Sequence, residues 1–328
     1  MKFDFLKGKT ILITGGTGSF GNAFVRFLLD NVAARKVIVF SRDEFKQFQM
    51  QKEINDERLN FFLGDIRDLK RLERAFRTVD VVVHAAALKQ VPTLEYNPFE
   101  AVQTNITGSQ NVIDAAIDQG VKKVLLLSTD KAAQPSNLYG ATKLCAEKLF
   151  INGNFFSTGE TVLSAVRYGN VIGSRGSIVE ALRNNKDAKT VDITHPNMTR
   201  FWLNLRQSFM LVLFALSTMR GGEIFVPKIP SMKVVDLFDV LAPHAAKKII
   251  GIRPGEKLHE VLLTKEEARH ALEFENHFVI LSEFPFQKGI YDKYHTTGKK
   301  LPDEFSFTSD TNKNWFTREQ LIDAIEAV

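Results

Sequence analysis

The stretch TILITGGTGSFG (Thr10–Gly21) decides the fold, because a short apolar run meets a glycine-rich loop that opens a helix. The apolar run is typical of a buried parallel strand, and apolar residues at helical spacing follow over Ser19–Asp30. Glycines spaced G-x-x-G-x-x-G allow a sharp turn, close approach to a pyrophosphate and tight packing of the helix on the strand. The stretch therefore predicts dinucleotide binding, with an ordinary structural turn as the alternative. The residues predicted to bind the cofactor here are Gly15, Thr17, Gly18, Ser19, Phe20 and Gly21.

The alternation of strand and helix continues from this stretch over roughly 170 residues. Apolar runs predict further strands at Lys36–Phe40, Leu59–Leu63, Val79–His84, Lys122–Leu127 and Thr161–Tyr168. Helices are predicted between them at Glu44–Asn55, Asp65–Arg77, Pro98–Gln119 and Ser136–Asn152. Because crossovers between parallel strands are right-handed, this pattern predicts the α/β class with a doubly wound parallel sheet of the Rossmann type.

The regular alternation of predicted strands and helices ends after Asn170. A helix is predicted at Leu205–Met219, and short strands are predicted near Glu223–Val226 and His277–Leu281. These elements predict a smaller mixed α/β region without a parallel sheet of its own. We therefore expect a dinucleotide-binding domain over residues 1–170 and a substrate-binding region over residues 171–328, with the two interleaved.

The residues after the second strand choose between NAD and NADP. NAD binders usually place an acid there for the ribose 2′-hydroxyl, whereas this chain has Ser41, Arg42 and Lys46. A guanidinium and an ammonium suit a 2′-phosphate, so we predict NADP as the cofactor. Asp43 and Glu44 complicate this choice, and their alternative role is to complement the dipole of the next helix.

Two further strand ends are predicted to contact the cofactor. Asp65 follows the third strand, where it can reach the adenine edge or cap the next helix, and both alternatives stay open. Ile66 and Ala86, after the third and fourth strands, are also predicted cofactor contacts.

The fifth strand and the helix after it carry the candidate catalytic residues. The strand ends at Thr129, and the helix contains Tyr139 and Lys143 in YGATK. A spacing of four puts Tyr139 and Lys143 on one helical face. A nearby ammonium and an oxidised nicotinamide favour the phenolate, which can remove a hydroxyl proton as hydride leaves for the cofactor. Thr129 is placed to hydrogen-bond the reacting oxygen, and Tyr139 and Lys143 are expected to contact the cofactor as well.

Composition excludes several other classes of protein. Hydrophobic residues make up 44% and charged residues 25%, as in ordinary globular chains. The net charge is +5, but the basic residues are scattered, so no nucleic-acid partner is expected. No apolar stretch is long enough for a membrane span or signal peptide, so neither is expected. A single cysteine, Cys145, fits a cytoplasmic location and is predicted to serve packing. The seven histidines show no metal-ligand spacing, so no metal is expected.

Several motifs in order resemble one known superfamily. GGTGSFG, HAAALKQV, STDKA and YGATK look like the extended short-chain dehydrogenases that act on nucleotide sugars. The similarity is strongest to the inverting UDP-N-acetylglucosamine 4,6-dehydratases, which begin the pathways to pseudaminic acid and related deoxyamino sugars. It continues through RYGNVIGSRGS (Arg167–Ser177), MTRFW (Met198–Trp202) and IRPGEKLHE (Ile252–Glu260). The resemblance implies an NADP-binding Rossmann domain, a nucleotide-sugar-binding region and UDP-N-acetylglucosamine as the substrate.

The resemblance also implies a reaction and assigns its acid and bases. C4 oxidation makes a ketone and acidifies the C5 proton, water is eliminated from C5 and C6, and hydride returns to C6. Lys131 is implied as the base at C5, Asp130 as the acid at C6 and Tyr139 as the base at C4. A neutral Lys131 requires a lowered pKa, and a protonated Asp130 requires a raised one. The alternative is that Asp130 and Lys131 form an ordinary surface ion pair.

The second region is expected to hold the nucleotide. A diphosphate calls for arginine and backbone N–H donors, and the resemblance points to Arg200 and Arg253. Ordinary surface or packing duty is the alternative for each of these substrate contacts. The full predicted set is Lys89, Asn170, Ser177, Arg200, Arg253 and Glu256.

Two rival functions remain open at this point. A UDP-sugar C4-epimerase would use the same cofactor and the same tyrosine–lysine pair, but it needs no elimination acid or C5 base. A non-catalytic NADP-binding sensor could lose the tyrosine–lysine pair, which this chain keeps. Inversion at C5 rests on the resemblance alone, as does the expected homo-oligomer, a hexamer.

Overall fold

The first part of the chain contains the predicted alternation of strands and helices. The computed structural model describes residues 3–157, 160–173, 177–183 and 189–326. The elements up to residue 168 are β1 (Thr10–Thr14), α1 (Ser19–Asn31), β2 (Lys36–Ser41), α2 (Glu44–Glu53), β3 (Leu59–Leu63), α3 (Leu69–Ala75), β4 (Val81–His84), α4 (Val91–Tyr96), α5 (Pro98–Ala101), α6 (Gly108–Asp118), β5 (Lys123–Thr129), α7 (Leu138–Gly153) and β6 (Val162–Tyr168). Short 3₁₀ helices cover Asp4–Leu6 and Asp130–Ala132.

The second part contributes shorter elements. They are β7 (Asn170–Val171), α8 (Ile178–Arg183), β8 (Thr190–Ile193), β9 (Thr199–Leu203), α9 (Leu205–Thr218), β10 (Ile224–Pro227), β11 (Ser231–Lys233), α10 (Val234–Leu241), β12 (Ala246–Ile249), β13 (Val261–Leu263), α11 (Lys265–Ala268), β14 (Ala271–Glu273), β15 (His277–Ile280), α12 (Asp292–Thr297), β16 (Lys299–Lys300), β17 (Phe307–Thr308) and α13 (Arg318–Glu326).

Within the described residues, one large sheet runs in the order β16-β14-β15-β10-β6-β5-β4-β1-β2-β3. The strands from β3 across to β10 pair in parallel, and β15, β14 and β16 continue the sheet in antiparallel fashion. The predicted doubly wound parallel sheet is therefore confirmed. The strand order reverses between β1 and β4, and ligands of such sheets bind at the carboxyl ends beside this reversal.

Two predicted helices differ in detail. The helix predicted over Pro98–Gln119 is interrupted by a π turn at Val102–Thr107, between α5 and α6. The helix predicted from Asp65 begins only at Leu69, because the side chain of Asp68 accepts a hydrogen bond from the Arg71 N–H and caps it. Such cap choices depend on local geometry that composition does not specify.

The second part does not form one separate body. β10 pairs in parallel with β6, so this part extends the main sheet. The expectation that it has no parallel sheet of its own is wrong, because β8 and β12 form a two-stranded parallel sheet after a long crossover. A smaller apolar core packs α8, α10 and α13 together around Leu237, Phe238 and Leu321.

No helix within the described ranges is both long and apolar enough to cross a membrane.

Candidate active site

The carboxyl ends of four neighbouring strands bring the predicted site residues to one edge of the sheet. β1 leads into the glycine loop, β4 into Ala86, β5 into Asp130 and β6 into Asn170. Because these strands are adjacent and parallel, residues far apart in sequence meet there.

The glycine loop is shaped for close approach. Gly15 has φ +68°, and a Cβ there would lie 2.9 Å from the backbone N of Ala86. A Cβ on Gly21 would lie 2.5 Å from the carbonyl oxygen of Gly15. Gly18 donates its N–H to the Gly15 carbonyl at 2.9 Å, and α1 begins directly afterwards. The loop thus presents backbone, rather than side chains, at the start of a 13-residue helix.

This arrangement fits a dinucleotide. The N–H groups in the first turn of a helix have no partners within the helix and attract phosphate. A cleft of about 540 Å³ beside the loop is lined by Thr17, Ser19 and Lys46, all predicted cofactor contacts. The Phe20 ring stacks on Phe24 at 5.2 Å and is only partly buried.

The residues after β2 are already engaged with neighbouring groups. The Ser41 hydroxyl accepts a hydrogen bond from Gln47 at 2.9 Å and is buried. Lys46 forms an ion pair with Asp43 at 2.7 Å, and Asp43 also caps α2. Asp43 therefore has the alternative role considered for it, since it lies at the start of α2 and caps that helix. Arg42 is half exposed and lies 3.6 Å from Asp65.

The residues after β3 and β4 lie close to the end of β2 and to the glycine loop. Asp65 accepts hydrogen bonds from the backbone and side chain of Arg67, so it caps a turn and not α3. Burial opposes ionisation of Asp65, but Arg67 outweighs it and lowers the pKa of that carboxyl. Ile66 is buried against Gly108, and Ala86 faces Gly15. The structure thus brings Asp65 to Arg42 and Ala86 to the glycine loop.

The catalytic helix α7 is anchored at its start. Asn137 accepts the Gly140 N–H at 2.8 Å, and the Leu138 N–H donates to Glu95 at 2.8 Å. Asn137 also donates to the Gly255 carbonyl at 2.8 Å, which docks the IRPGEK loop onto the helix. A Cβ on Gly140 would collide with the Lys131 carbonyl, so α7 packs tightly on the turn that carries Asp130 and Lys131.

The pKa of Tyr139 is raised and the pKa of Lys143 is lowered. Burial raises the pKa of Tyr139 to about 12, and the Lys131 ammonium and Thr129 only partly oppose it. Burial lowers the pKa of Lys143 to about 8, with Glu147 opposing. The charge that favours the phenolate in this state is thus Lys131, whereas the sequence had suggested Lys143.

Asp130 and Lys131 are not a surface ion pair, so that alternative is wrong. Asp130 is fully buried, and its Oδ1 lies 3.1 Å from Lys131 Nζ and accepts the Thr129 hydroxyl at 2.9 Å. A third residue, Glu260, lies 3.3 Å from Lys131 Nζ and is 2% exposed. Among the described residues, Asp130 Oδ2 and Glu260 Oε2 are buried without a hydrogen-bond partner.

Two more cations complete this group. Arg200 Nε lies 3.7 Å from Glu260 Oε1, and Lys257 Nζ lies 3.5 Å from Glu260 Oε2. We call the five residues Asp130, Lys131, Arg200, Lys257 and Glu260 the charge cluster.

In the charge cluster, Asp130 has the raised pKa that was predicted, but Lys131 does not have the lowered pKa that was predicted. Burial raises the pKa of Asp130, and the Glu260 carboxylate adds to this while Lys131 opposes it. Burial alone would lower the pKa of Lys131, but Asp130 and Glu260 outweigh it and hold the pKa above its usual value. The lowered pKa expected of a basic lysine is therefore absent in the free protein, because two carboxylates face its ammonium.

The predicted substrate residues divide into two groups. Arg200 is buried, donates to the carbonyls of Thr199 and Leu258, and belongs to the charge cluster. Arg253 lies on the exposed loop, 3.9 Å from Glu256. The loop shape depends on Glu256, which accepts the Arg253 N–H.

Lys89, Asn170 and Ser177 are the other residues predicted to contact the substrate. Partial desolvation lowers the pKa of Lys89, with Glu180 opposing and Lys131 adding to the shift, although the side chain stays exposed. Asn170 pairs with Trp202 between β7 and β9. The Ser177 hydroxyl accepts the Glu180 N–H at 3.3 Å at the start of α8. Residues 174–176 of the RYGNVIGSRGS motif lie outside the described residues.

Sequence reasoning missed a second set of buried charges. Arg167, on β6, forms paired hydrogen bonds with Glu147 at 3.0 and 2.6 Å and with Glu267 at 2.9 and 2.8 Å. We call these three residues the brace. Glu147 follows Tyr139 and Lys143 at the same spacing of four, so the three residues share one face of α7. This periodicity could have identified Glu147 from the sequence. Glu260 and Lys257 stand in the IRPGEKLHE motif, which was recognised without assigning them a role.

Cys145 is exposed on α7, so its predicted packing role is wrong. The described part of the chain contains no group of three or more His, Cys, Asp or Glu side chains suited to a metal ion.

Comparison with known sequences identifies relatives along nearly the whole chain. The family described as polysaccharide biosynthesis protein matches residues 11–282. The inverting UDP-N-acetylglucosamine 4,6-dehydratase of Campylobacter jejuni strain 81-176 is 48% identical over 325 residues, 97% of each chain. A UDP-glucose 4-epimerase of Rickettsia prowazekii is 43% identical over 301 residues, 89% of this chain and 88% of the relative.

Solved structures share the fold. The X-ray structure of Pen from Bacillus thuringiensis has a TM-score of 0.89 and 38% identity over 98% of both chains. DesIV, a dTDP-glucose 4,6-dehydratase of Streptomyces venezuelae solved with NAD and TYD bound, has a TM-score of 0.68 and 25% identity. That similarity covers 76% of this chain and 86% of DesIV.

Proposed function

Since the chain belongs to the family of polysaccharide biosynthesis proteins, we propose that it is a UDP-N-acetylglucosamine 4,6-dehydratase that inverts C5. The observation that carries this proposal is the pair of the fully buried Asp130 and the mostly buried Lys131, which lies beside Thr129 and Tyr139. An oxidation at C4 needs the tyrosine and lysine alone, whereas an elimination needs an additional acid and base at neighbouring carbons. The 48% identity to the Campylobacter enzyme over 97% of both chains supports the same reaction.

A nicotinamide dinucleotide is the cofactor that the glycine loop fits. Gly15, Gly21 and the start of α1 would hold its pyrophosphate, because a Cβ at either glycine would collide with neighbouring backbone and prevent this tight turn. NADP is our choice, since Arg42 and Lys46 offer cations for a 2′-phosphate. The related DesIV was solved with NAD, so NADP is the finer part of this proposal. When bound, the nicotinamide ring supplies the acceptor for the C4 hydride and the donor that returns it to C6.

Tyr139, Lys131 and Asp130 each carry out a different proton transfer in the proposed reaction. Tyr139, as phenolate, takes the proton of the C4 hydroxyl while Thr129 hydrogen-bonds the same oxygen. Lys131, after its ammonium has lost a proton to solvent, takes the C5 proton, and Asp130 gives a proton to the C6 hydroxyl, which leaves as water. A final proton is added at C5. The two protons released from O4 and C5 equal the two taken up by the departing water and by C5, so the net change is the loss of one water.

The second region would hold the rest of the substrate. Arg253 lies on an exposed loop that is docked onto α7, which suits contact with a diphosphate. Lys89, Asn170, Ser177 and Glu256 would also contact the substrate. The product, a 2-acetamido-2,6-dideoxy-L-arabino-hex-4-ulose on UDP, suits a pathway to deoxyamino sugars such as pseudaminic acid. A cytoplasmic, homo-oligomeric enzyme belongs to the same proposal.

A UDP-sugar C4-epimerase is the second candidate, favoured by the 43% identity to the Rickettsia relative. It would use Tyr139, Lys143 and the glycine loop in the same way. The buried Asp130–Lys131 pair argues against it, because epimerisation at C4 requires no elimination.

The deciding experiment incubates the purified protein with UDP-N-acetylglucosamine in heavy water and follows products by NMR and mass spectrometry. We expect a 4-keto-6-deoxy product with deuterium at C5 and inverted C5 geometry, whose unlabelled counterpart is one water lighter than the substrate. Tyr139→Phe is the matched control and should make none. A product of unchanged mass in ordinary water would establish the epimerase instead, and no reaction with UDP-sugars and added NADP would refute both.

A further inference from the structure

Glu260 is a buried carboxylate that the proposed reaction leaves without a role. Its backbone is fixed on both sides, because its N–H donates to the Ser309 hydroxyl at 2.9 Å and its carbonyl accepts the Ser309 N–H at 2.9 Å. Ser309 is in turn 2.6 Å from the Thr199 hydroxyl. These backbone hydrogen bonds fix the position of the Glu260 carboxylate in the charge cluster.

The cations around the two carboxylates are unequally distributed. Among the described side chains, Lys131, Arg200 and Lys257 lie within 4 Å of the Glu260 carboxylate, but only Lys131 lies that close to Asp130. A buried carboxylate stays ionised only where cations compensate it. Glu260 therefore has the surroundings of an ionised group, and Asp130, fully buried with one cation that it must share, has those of a neutral one.

The other contacts of these cations strengthen this distinction. Arg200 donates to two backbone carbonyls, and Lys257 donates to the Ala133 carbonyl at 2.6 Å. Both cations are thus fixed in place beside Glu260. Lys131, by contrast, lies between the two carboxylates at 3.1 and 3.3 Å, so one of them must act as its counter-charge.

We infer that Glu260 is a positioning residue that supplies the negative charge opposite Lys131 and so leaves Asp130 free to carry a proton. This inference rests on the proposed function only for its catalytic consequence, because the protonation of Asp130 is a property of the free protein. In the absence of the Glu260 charge, Asp130 becomes the counter-ion of Lys131 and ionises. The acid required at C6 is then lost, while Tyr139, which serves C4, keeps its side chain and its Lys131 neighbour.

The inference agrees with the opposite pKa shifts of the two carboxylates. Burial and Glu260 both raise the pKa of Asp130. Burial opposes ionisation of Glu260, but Lys131, Arg200 and Lys257 outweigh it and lower the pKa of that carboxyl. Tyr139 and Thr129 complete the surroundings, and the phenol of Tyr139 is neutral because burial raises its pKa to about 12.

Infrared spectroscopy of the free protein tests this directly. We expect wild type near neutral pH to show the carbonyl stretch of one protonated aspartic acid, assigned by ¹³C-aspartate labelling and by its loss in Asp130→Asn. Glu260→Gln should lose the same band. Glu223→Gln is the matched control, because it removes a buried carboxylate bonded to Ser164 and Tyr294 at the other edge of the sheet. It should keep the band.

The opposite results would overturn the inference. A wild type without the band would mean that Asp130 is already the counter-ion, and a band that persists in Glu260→Gln would mean that Glu260 does not control it. If Glu260→Gln fails to fold, Lys131→Met decides the question. That variant should keep the band seen in wild type, whereas a band that appears only in Lys131→Met would contradict the inference.

A kinetic measurement extends the test to turnover. Glu260→Gln should lower kcat about 10- to 100-fold, below the roughly 10²- to 10⁴-fold that a general acid itself contributes, with KM little changed. Reduced nicotinamide should accumulate, since C4 oxidation survives and elimination slows. Wild-type kcat in this variant would refute the catalytic consequence. If wild type itself makes no 4-keto product, the proposed function fails while the infrared result still judges Glu260.

Discussion

The charge cluster and the brace are both buried groups of acids and cations, yet they are built differently. In the brace, Arg167 donates paired hydrogen bonds to two carboxylates at 2.6 to 3.0 Å, and a further one to the Leu262 carbonyl. In the charge cluster the ion pairs span 3.1 to 3.7 Å, and two carboxylate oxygens have no hydrogen-bond partner among the described residues.

A structural network can be told from a functional one by whether its buried polar atoms have hydrogen-bond partners. A fully satisfied buried network holds elements together, and here it ties α7 to β6 and α11. Unpartnered buried oxygens cost free energy and persist where chemistry needs them to exchange protons or meet a substrate. The brace should therefore determine stability, and the charge cluster should determine turnover.

The largest expected effect is in the charge cluster. Asp130→Asn should reduce product formation about 10²- to 10⁴-fold, because it removes the proton donor at C6. The unfolding free energy should change little, since Glu260 remains beside Lys131. Turnover measured by NMR and denaturant unfolding together check this. A large loss of stability with normal turnover would remove the distinction between the two networks.

The brace should show the reverse behaviour. Arg167→Met should lower the unfolding free energy by about 3 to 5 kcal/mol, because two carboxylates stay buried without their cation. The triple variant Glu147→Gln, Arg167→Met and Glu267→Gln should recover most of that loss, since no unpaired charge remains. Urea unfolding of both variants measures the effect. A triple variant as unstable as the single one would show that the brace stabilises through packing and not through charge.

Lys143 lies between the two networks and should appear in the pH dependence of stability. Its pKa is lowered from 10.5 to about 8 by burial, so between these values the unfolded chain holds a proton that the folded chain lacks. Stability should therefore rise with pH across this window, by at most about 1.4 kcal/mol per pH unit from this group. The difference between wild type and Lys143→Met isolates the effect from other titrations. Parallel stability curves for the two proteins would contradict it.

The smallest expected effect concerns the cofactor. Arg42→Ala should weaken NADP binding about 10-fold and leave NAD binding nearly unchanged, because a charge-assisted contact to the 2′-phosphate is lost. Arg67→Ala is the control, since Arg67 also pairs with Asp65. Fluorescence titration with both dinucleotides measures the discrimination. Equal losses for NAD and NADP in Arg42→Ala would mean that Arg42 does not read the 2′-phosphate.

Local patterns in the sequence predicted much of the fold. The glycine loop, the first strands and helices and the pair Tyr139 and Lys143 are set by neighbours within a few residues, where spacing translates directly into geometry. The parallel sheet followed because alternating strands and helices permit few topologies. The π turn at Val102–Thr107 and the parallel pair β8–β12 were not predictable, since they depend on packing against distant elements.

Local sequence patterns were therefore enough to predict a dinucleotide loop, a tyrosine–lysine helix and the dipeptide Asp130–Lys131 at strand ends. The charges that face these groups could not be predicted before the fold was known. Glu260 is 129 residues from Lys131, and Arg167 is 100 residues from Glu267, so no local period relates them. Protonation in a buried site depends on the charges and solvent within a few ångströms, and that neighbourhood is created when the chain folds.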